Sequence, residues 1–198
     1  MNIKLIASIL FFTSQVSCSQ SDNNLSSTDD YSMGLRWFER AIHYNDPQYF
    51  QNAIKYWQPL LAENDCDAEY YMGLMYFAGF GVKQNFKEAY RLWIKAGSAN
   101  QAKAQSALGD LYFQNEQYVF HHCTKTPSCQ LTPDLEAAFF WYKLAEQSAS
   151  NPREQKYLKN VLAKVKAKLT QFEIDFVEQQ IATWMPTPKD CEARDTSS

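Results

Sequence analysis

Residues 68–97 read AEYYMGLMYFAGFGVKQNFKEAYRLWIKAG, and this stretch decides the fold. Its first half sets Ala68, Met72, Met75 and Gly79 at helical spacing, and Gly73 removes a side chain where a neighbouring helix can approach closely. Gly79-Phe80-Gly81 then breaks the helix. Asn85 followed by Glu88 predicts a capping box: the Asn side chain accepts from the new helix's first amides while Glu88 reaches back. Ala89, Leu92, Trp93 and Ala96 form the inner stripe of that second helix, and Gly97 stands where a left-handed C-terminal cap is expected.

The pattern recurs. At an offset of 36, Gly73 meets Gly109, Tyr76 meets Tyr112, Ala68 meets Ala104, Ala53 meets Ala89 and Trp57 meets Trp93. Leu74 is the exception, because the same offset lands on Asp110. Matches at scarce Gly and Trp mark a stacked architecture of two-helix units. A second unit, Ala104 to Ala149, keeps Gly109, Tyr112, Ala138, Trp141-Tyr142 and Ala145. Gly109 to Ala138 is 29 residues where Gly73 to Ala89 is 16, so its turn carries an insertion of 13, placed near 114–131. A degenerate unit precedes both, Tyr31 to Glu63, with Gly34, Trp37, Ala53 and Tyr56-Trp57. There Asp46 as cap and Pro47 at the first helical position replace the double-glycine turn, and Pro59 is expected to kink the last turns.

After Ala149 the period lapses but helices continue. Asn151-Pro152-Arg153-Glu154 opens one with Leu158, Val161, Leu162, Val165 and Leu169 on one face. Thr170 and Glu173 open another, whose Phe172, Phe176, Val177, Ile181 and Trp184 are expected to face inward until Pro186 and Pro188 stop it. Helices that lose the repeat pattern and close off the core are what a solenoid end requires. The expected fold is all-α: about three helical pairs plus a C-terminal capping pair over 31–185, then a tail at 186–198.

Composition agrees. Across 198 residues, 13 Phe, 12 Tyr and 5 Trp stand against only 6 Gly, which disfavours a turn-dense all-β chain. A net charge of -3 leaves no electrostatic footprint for nucleic acid. Between Arg153 and Lys168 there are six bases and one acid, readable as a solvated outer face or as a docking strip for an acidic partner or anionic lipid.

The N-terminus reads as an export signal over 1–18. Lys4 precedes LIASILFF (Leu5–Phe12), and a run that short spans only ~12 Å as a helix, too little to cross a bilayer. Gln15-Val16-Ser17-Cys18 resembles a bacterial lipobox, with Gln15 where Leu is usual; cleavage after Ser17 or Ser19 without lipidation is the alternative. Residues 19–30 are polar and expected to form a tether. Setting Cys18 aside leaves Cys66, Cys123, Cys129 and Cys191, an even number that permits two disulfides in an oxidising compartment. Cys123 and Cys129 enclose the short loop CTKTPSC, leaving Cys66 and Cys191 as a long-range staple. His121, His122, Cys123 and Cys129 also offer metal-ligand types, but consecutive residues rarely aim at one ion and a Cys-x-x-Cys pair is missing, so neither metal nor cofactor is expected.

Catalysis has little to stand on. Three His, no Gly-x-Ser-x-Gly elbow, no phosphate-cradling loop and no His-Glu-x-x-His leave no conventional catalytic set. Glu63, Asp65 and Asp67 cluster at a helix N-terminus, where acids are expected for dipole reasons. Most repeat aromatics fill space between helices; Tyr70, Tyr71, Phe77 and Phe80 are the candidates for contact with a protein partner.

The 68–97 unit resembles a Sel-one-like repeat (SLR), a relative of the tetratricopeptide repeat, in its Ala68, Gly73, Tyr76, Gly79-x-Gly81-Val82 turn, Ala89 and Lys95-Ala96 ending. That resemblance implies a right-handed solenoid and a non-enzymatic interaction module, binding a protein partner through its concave face or inserted loop. Similar proteins act in the bacterial envelope as scaffolds, or as immunity factors that block a periplasmic toxin or cell-wall enzyme. Cysteine-rich members are linked to β-lactam binding or hydrolysis, but they carry a Cys pair in nearly every repeat, and here the single such pair lies in the insertion.

Overall fold

The computed structural model describes residues 29–113 and 133–187, which hold eight helices and no strand. Helices α1 (Asp29–Tyr44) and α2 (Pro47–Ala62) form the first antiparallel pair, α3 (Cys66–Ala78) and α4 (Phe86–Ser98) the second, α5 (Ala102–Phe113) and α6 (Leu135–Ser148) the third. Helices α7 (Pro152–Lys166) and α8 (Gln171–Ala182) pack on α6 and close that end of the stack.

Local sequence writes the helix starts. Asp46, Asp65, Asn85, Asp134, Asn151 and Thr170 each accept from a first-turn amide, and Pro47 and Pro152 occupy initial helical positions. Thr170 and Glu173 complete a reciprocal capping box. At Asn85 only half of the expected box forms, because the Glu88 carboxylate turns to Arg91 at 2.6 Å instead. Gly79 ends α3 with φ 73°, its amide donating to the Met75 carbonyl at 2.8 Å. Gly97 is not the cap the sequence suggested. It lies inside α4, where a Cβ would meet Leu108 at 3.1 Å and Trp141 at 3.3 Å, and the left-handed residue is Asn100, φ 71°. Helix α2 runs as one element through Pro59.

One device recurs in all three pairs. A glycine on the first helix receives a ring from the second: Trp57 over Gly34, Trp93 over Gly73, Tyr142 over Gly109. A Cβ on Gly73 would lie 2.5 Å from Trp93 Nε1, one on Gly109 2.5 Å from Tyr142 Cδ1, and one on Gly34 would collide with the Trp57 indole. The indoles also donate back, Trp57 Nε1 to the Tyr31 carbonyl at 3.2 Å and Trp93 Nε1 to the Tyr70 carbonyl at 3.1 Å. The offset of 36 catches one step on each side of these locks, Gly73 to Gly109 among the glycines and Trp57 to Trp93 among the rings.

Aromatic contacts join successive pairs. Phe80 stacks on Phe50 at 4.5 Å and Tyr71 on Trp57 at 4.9 Å. A second core unites Ala138, Phe139 and Tyr142 of α6 with Leu158, Val161, Leu162 and Val165 of α7 and Ile174 and Val177 of α8. The inward face expected for α8 needs correction. Phe172 and Phe176 are 79% and 47% exposed, whereas Ile174, Val177 and Ile181 meet the core. At 100° per residue those three share one side and the phenylalanines lie opposite. Beyond α8, a strap at 183–187 returns toward α4: Trp184 packs edge-on against Phe140 and Trp141, and Thr187 donates through both N and Oγ1 to the Ser98 carbonyl at 2.8 and 3.0 Å.

Candidate interaction surface

The first helices of successive pairs lie side by side, joined by contacts that run across the stack. The rings of Tyr31 (α1) and Tyr71 (α3) are 6.1 Å apart. Gln101, just before α5, donates to Asp67 of α3 at 2.9 Å, and Lys103 of α5 sits 5.5 Å over the Tyr71 ring. Asp110 of α5 accepts from Tyr142 of α6 at 2.6 Å and from Tyr157 of α7. Across α3, α5 and α7 this makes a ribbon of half-buried Asp67, Tyr70, Lys103, Asp110, Glu154 and Tyr157.

Its electrostatics follow from burial. Asp67 and Glu154 both act on Lys103, and Asp110 is held by Tyr142 and Tyr157. Burial pushes Asp110 up to about 6 even though two tyrosine hydroxyls donate to it. Burial likewise raises Glu154, with the Lys103 charge opposing. For Lys103, desolvation acts downward, but Tyr71 and Asp67 outweigh it and the ammonium is held above its ordinary value. Burial raises the phenols of Tyr70, Tyr142 and Tyr157 further, so they act as neutral donors. The ribbon can therefore hydrogen-bond and ion-pair with a polar chain laid across it. Its groups hold no open nucleophile–base pair.

The four aromatic candidates divide. Tyr70 belongs to the ribbon, its ring 4.9 Å from that of Tyr71. Tyr71 and Phe80, 3% and 7% exposed, are corrected to core residues, because their rings fill the seam between the first and second pairs. Phe77 is half-buried between Phe86 and Trp93. Sequence reasoning passed over Lys103, Asp110, Glu154 and Tyr157 as contact residues. Asp110 did leave a mark, as the position where the period of 36 fails.

Cys66, buried at the start of α3, is disulfide-bonded, and its partner lies outside the described residues. So do Cys18, Cys123, Cys129, Cys191, His121 and His122. Among the described residues no group of three His, Cys, Asp or Glu is placed to hold a metal ion, and no helix is long and apolar enough to cross a membrane.

Helical pairs stacked with their first helices adjacent, each locked by a ring over a glycine, define an all-α solenoid. The Sel1 repeat model matches residues 26–43, 66–101 and 128–149. A protective antigen of uropathogenic Escherichia coli displaying an SLR fold superposes with a TM-score of 0.64 at 18% identity, over 80% of this chain and 30% of that protein. A Sel1 repeat protein from Oxalobacter formigenes matches 79% of this chain and 73% of its own, at 23% identity and a TM-score of 0.47. Over these three segments the chain is similar to Sel1-repeat (SLR) proteins. Sel1 repeats generally mediate protein–protein interaction, and proteins built from them are generally non-catalytic.

Proposed function

We propose that this chain is a non-enzymatic adaptor of the bacterial cell envelope that binds a segment of a protein partner along the first-helix ribbon, on the concave side of the solenoid. One observation carries the reading. Asp67, Asp110 and Glu154 lie half-buried with Lys103 and two tyrosines on three adjoining helices, where a bound chain would find charge, donors and aromatic faces preformed. Preorganised polar groups of this kind lower the ordering cost of binding. The N-terminal LIASILFF run and Cys18 support export to the periplasm with an acyl anchor at the outer membrane. Loss of labelled fatty acid and release into the soluble fraction are expected for Cys18→Ser; labelling retained by that variant overturns the anchor.

The partner test is affinity capture from periplasmic extract. The chain is expected to retain a saturable protein, and the pair Lys103→Glu with Glu154→Lys to lose it at least tenfold while melting within a few degrees of wild type. Capture unchanged by that exchange overturns the ribbon as the site. A toxin or cell-wall hydrolase in the captured fraction would make the adaptor an inhibitor.

A further inference from the structure

The ribbon holds three acids and one lysine, and we infer that the acid left without a counterion, Asp110, seats a lysine or arginine side chain of the bound partner. This rests on the ribbon being the binding face and names what that face selects. Spacing sets the layout. Asp67 and Tyr70 are three apart on α3, Glu154 and Tyr157 three apart on α7, and Lys103 and Asp110 seven apart on α5, so each pair shares one side of its helix. Two turns carry Asp110 about 10.5 Å along α5 from Lys103.

Lys103 is already engaged. Its ammonium donates to the Tyr71 hydroxyl at 3.5 Å and interacts with the charges of Asp67 and Glu154. Asp110 stands apart: among the described residues no Lys, Arg or His forms an ion pair with it. Its support is neutral. Tyr142 of α6 and Tyr157 of α7 both donate to Oδ1, while no described group donates to Oδ2, and the half-buried residue leaves that oxygen in reach of solvent. The two phenols, kept protonated by burial, fix the direction of the carboxylate without cancelling its charge. Tyr70 of α3 lies close enough to feel the charges of both Glu154 and Asp110.

A fixed carboxylate with one open oxygen lacks only a cation that carries N–H donors. Ammonium and guanidinium side chains supply both, and charge-assisted bonds of that kind are the strong ones. An acidic chain would meet Asp110 and Glu154 as like charges and be rejected. The stack itself does not need the acid. The equivalent position of the second pair is Leu74, 5% exposed and packed in the core of the first two pairs. Burial lifts the Asp110 carboxyl to about 6, and a cation beside it would draw that value down, so binding and ionisation favour one another.

The probe is a phage-displayed library of linear peptides, panned on the full wild-type chain at about pH 7.5 and then on Asp110→Asn, which keeps an acceptor for both tyrosines. Clones that the wild type retains and Asp110→Asn loses at least about tenfold are expected, each carrying Lys or Arg. A His-free synthetic peptide from one such clone, and its version with that base replaced by Gln, complete a double-mutant cycle. The replacement should weaken binding about tenfold or more on the wild type and less than about twofold on Asp110→Asn. Because Asp110 titrates at about 6, wild-type affinity should fall by up to about tenfold between about pH 7.5 and 5. Tyr70, Tyr142 and Tyr157 stay neutral over that interval and Glu154 remains in both proteins, so the shallower slope expected of Asp110→Asn belongs to Asp110. Retained peptides without a base, a Gln replacement that costs the same on both proteins, or an affinity that rises as pH falls overturns the cation seat. Clones lost through Lys103→Glu with Glu154→Lys yet indifferent to Asp110→Asn overturn the seat and leave the ribbon standing; a library with no clone sensitive to either change overturns both. The pH series and the Gln-replaced peptide need only the wild-type chain and decide the matter even where a variant fails to fold.

Discussion

Gly73→Ala puts two general rules in opposition, and the structure says which wins. In the interior of an exposed helix, alanine in place of glycine stabilises by about 1 kcal/mol. Here the new Cβ would stand 2.5 Å from Trp93 Nε1 and 2.6 Å from Cδ1. The indole has to retreat by about 1 Å to reach ordinary van der Waals contact, yet it is held between the Phe77 ring at 5.3 Å and its own bond to the Tyr70 carbonyl. Overpacking of this kind costs about 1–3 kcal/mol. Losing the indole bond in a partly buried setting costs about 1–2 kcal/mol more. Subtracting the helix gain leaves a net loss of about 1–4 kcal/mol, or about 2–15 °C in Tm for a chain this long. Urea and thermal melts of Gly73→Ala, Trp93→Phe and the double variant measure it. The smaller ring opens the notch, so the double variant should be more stable than the sum of the singles by at least about 1 kcal/mol. A Gly73→Ala protein as stable as wild type, or strict additivity, would refute the ring-in-notch account of the helical pairs.

Other expectations are briefer. Burial holds the Asp110 carboxyl at about 6 against an ordinary 3.8, so the folded chain binds that proton more tightly than the unfolded one. Its contribution is fully present below pH 4 and is lost as pH rises through about 6, up to about 3 kcal/mol. Asp110→Asn keeps an acceptor for Tyr142 and Tyr157 but removes the titration, so its urea midpoint should lack that slope; parallel pH profiles for variant and wild type would contradict this. On α8, Phe172→Ser and Phe176→Ser should each change stability by less than about 0.5 kcal/mol, while Val177→Ala costs about 1–3 kcal/mol. The opposite ranking would restore the phenylalanine-inward face. Lys95→Met removes an ion-pair partner of the fully buried Glu69 carboxylate and should cost about 2 kcal/mol, less than a wholly buried pair because Lys95 is partly exposed.

The legible parts of this fold are those written locally or copied at a fixed interval. An Asp, Asn or Thr cap needs only its own first turn, and six of them stand where helices begin. The glycine-to-ring lock involves two helices of one hairpin, and its parts show themselves at the offset of 36 as Gly73 with Gly109 and Trp57 with Trp93, while Gly34 to Gly73 is 39 and Trp93 to Tyr142 is 49. Where information was non-local the sequence was ambiguous for a physical reason. Helix α8 carries two apolar stripes, one of phenylalanines and one of Ile174, Val177 and Ile181, and helical periodicity cannot say which of them meets α6. Helix α3 buries residues on several sides, so adjacent Tyr70 and Tyr71 have different fates, one on the ribbon and one in a seam against Trp57. The ribbon itself is drawn from α3, α5 and α7, too far apart in sequence for any motif to hold it. Its clearest trace was a defect: packing demands Leu at position 74, and the equivalent position carries the half-buried acid Asp110, gripped by Tyr142 and Tyr157. In a repeat protein the copied positions report the scaffold, and a polar residue that breaks the copy while staying buried needs a reason other than packing. At Asp110 the reason available is the ribbon, which makes the broken position the first place to mutate when the partner is sought.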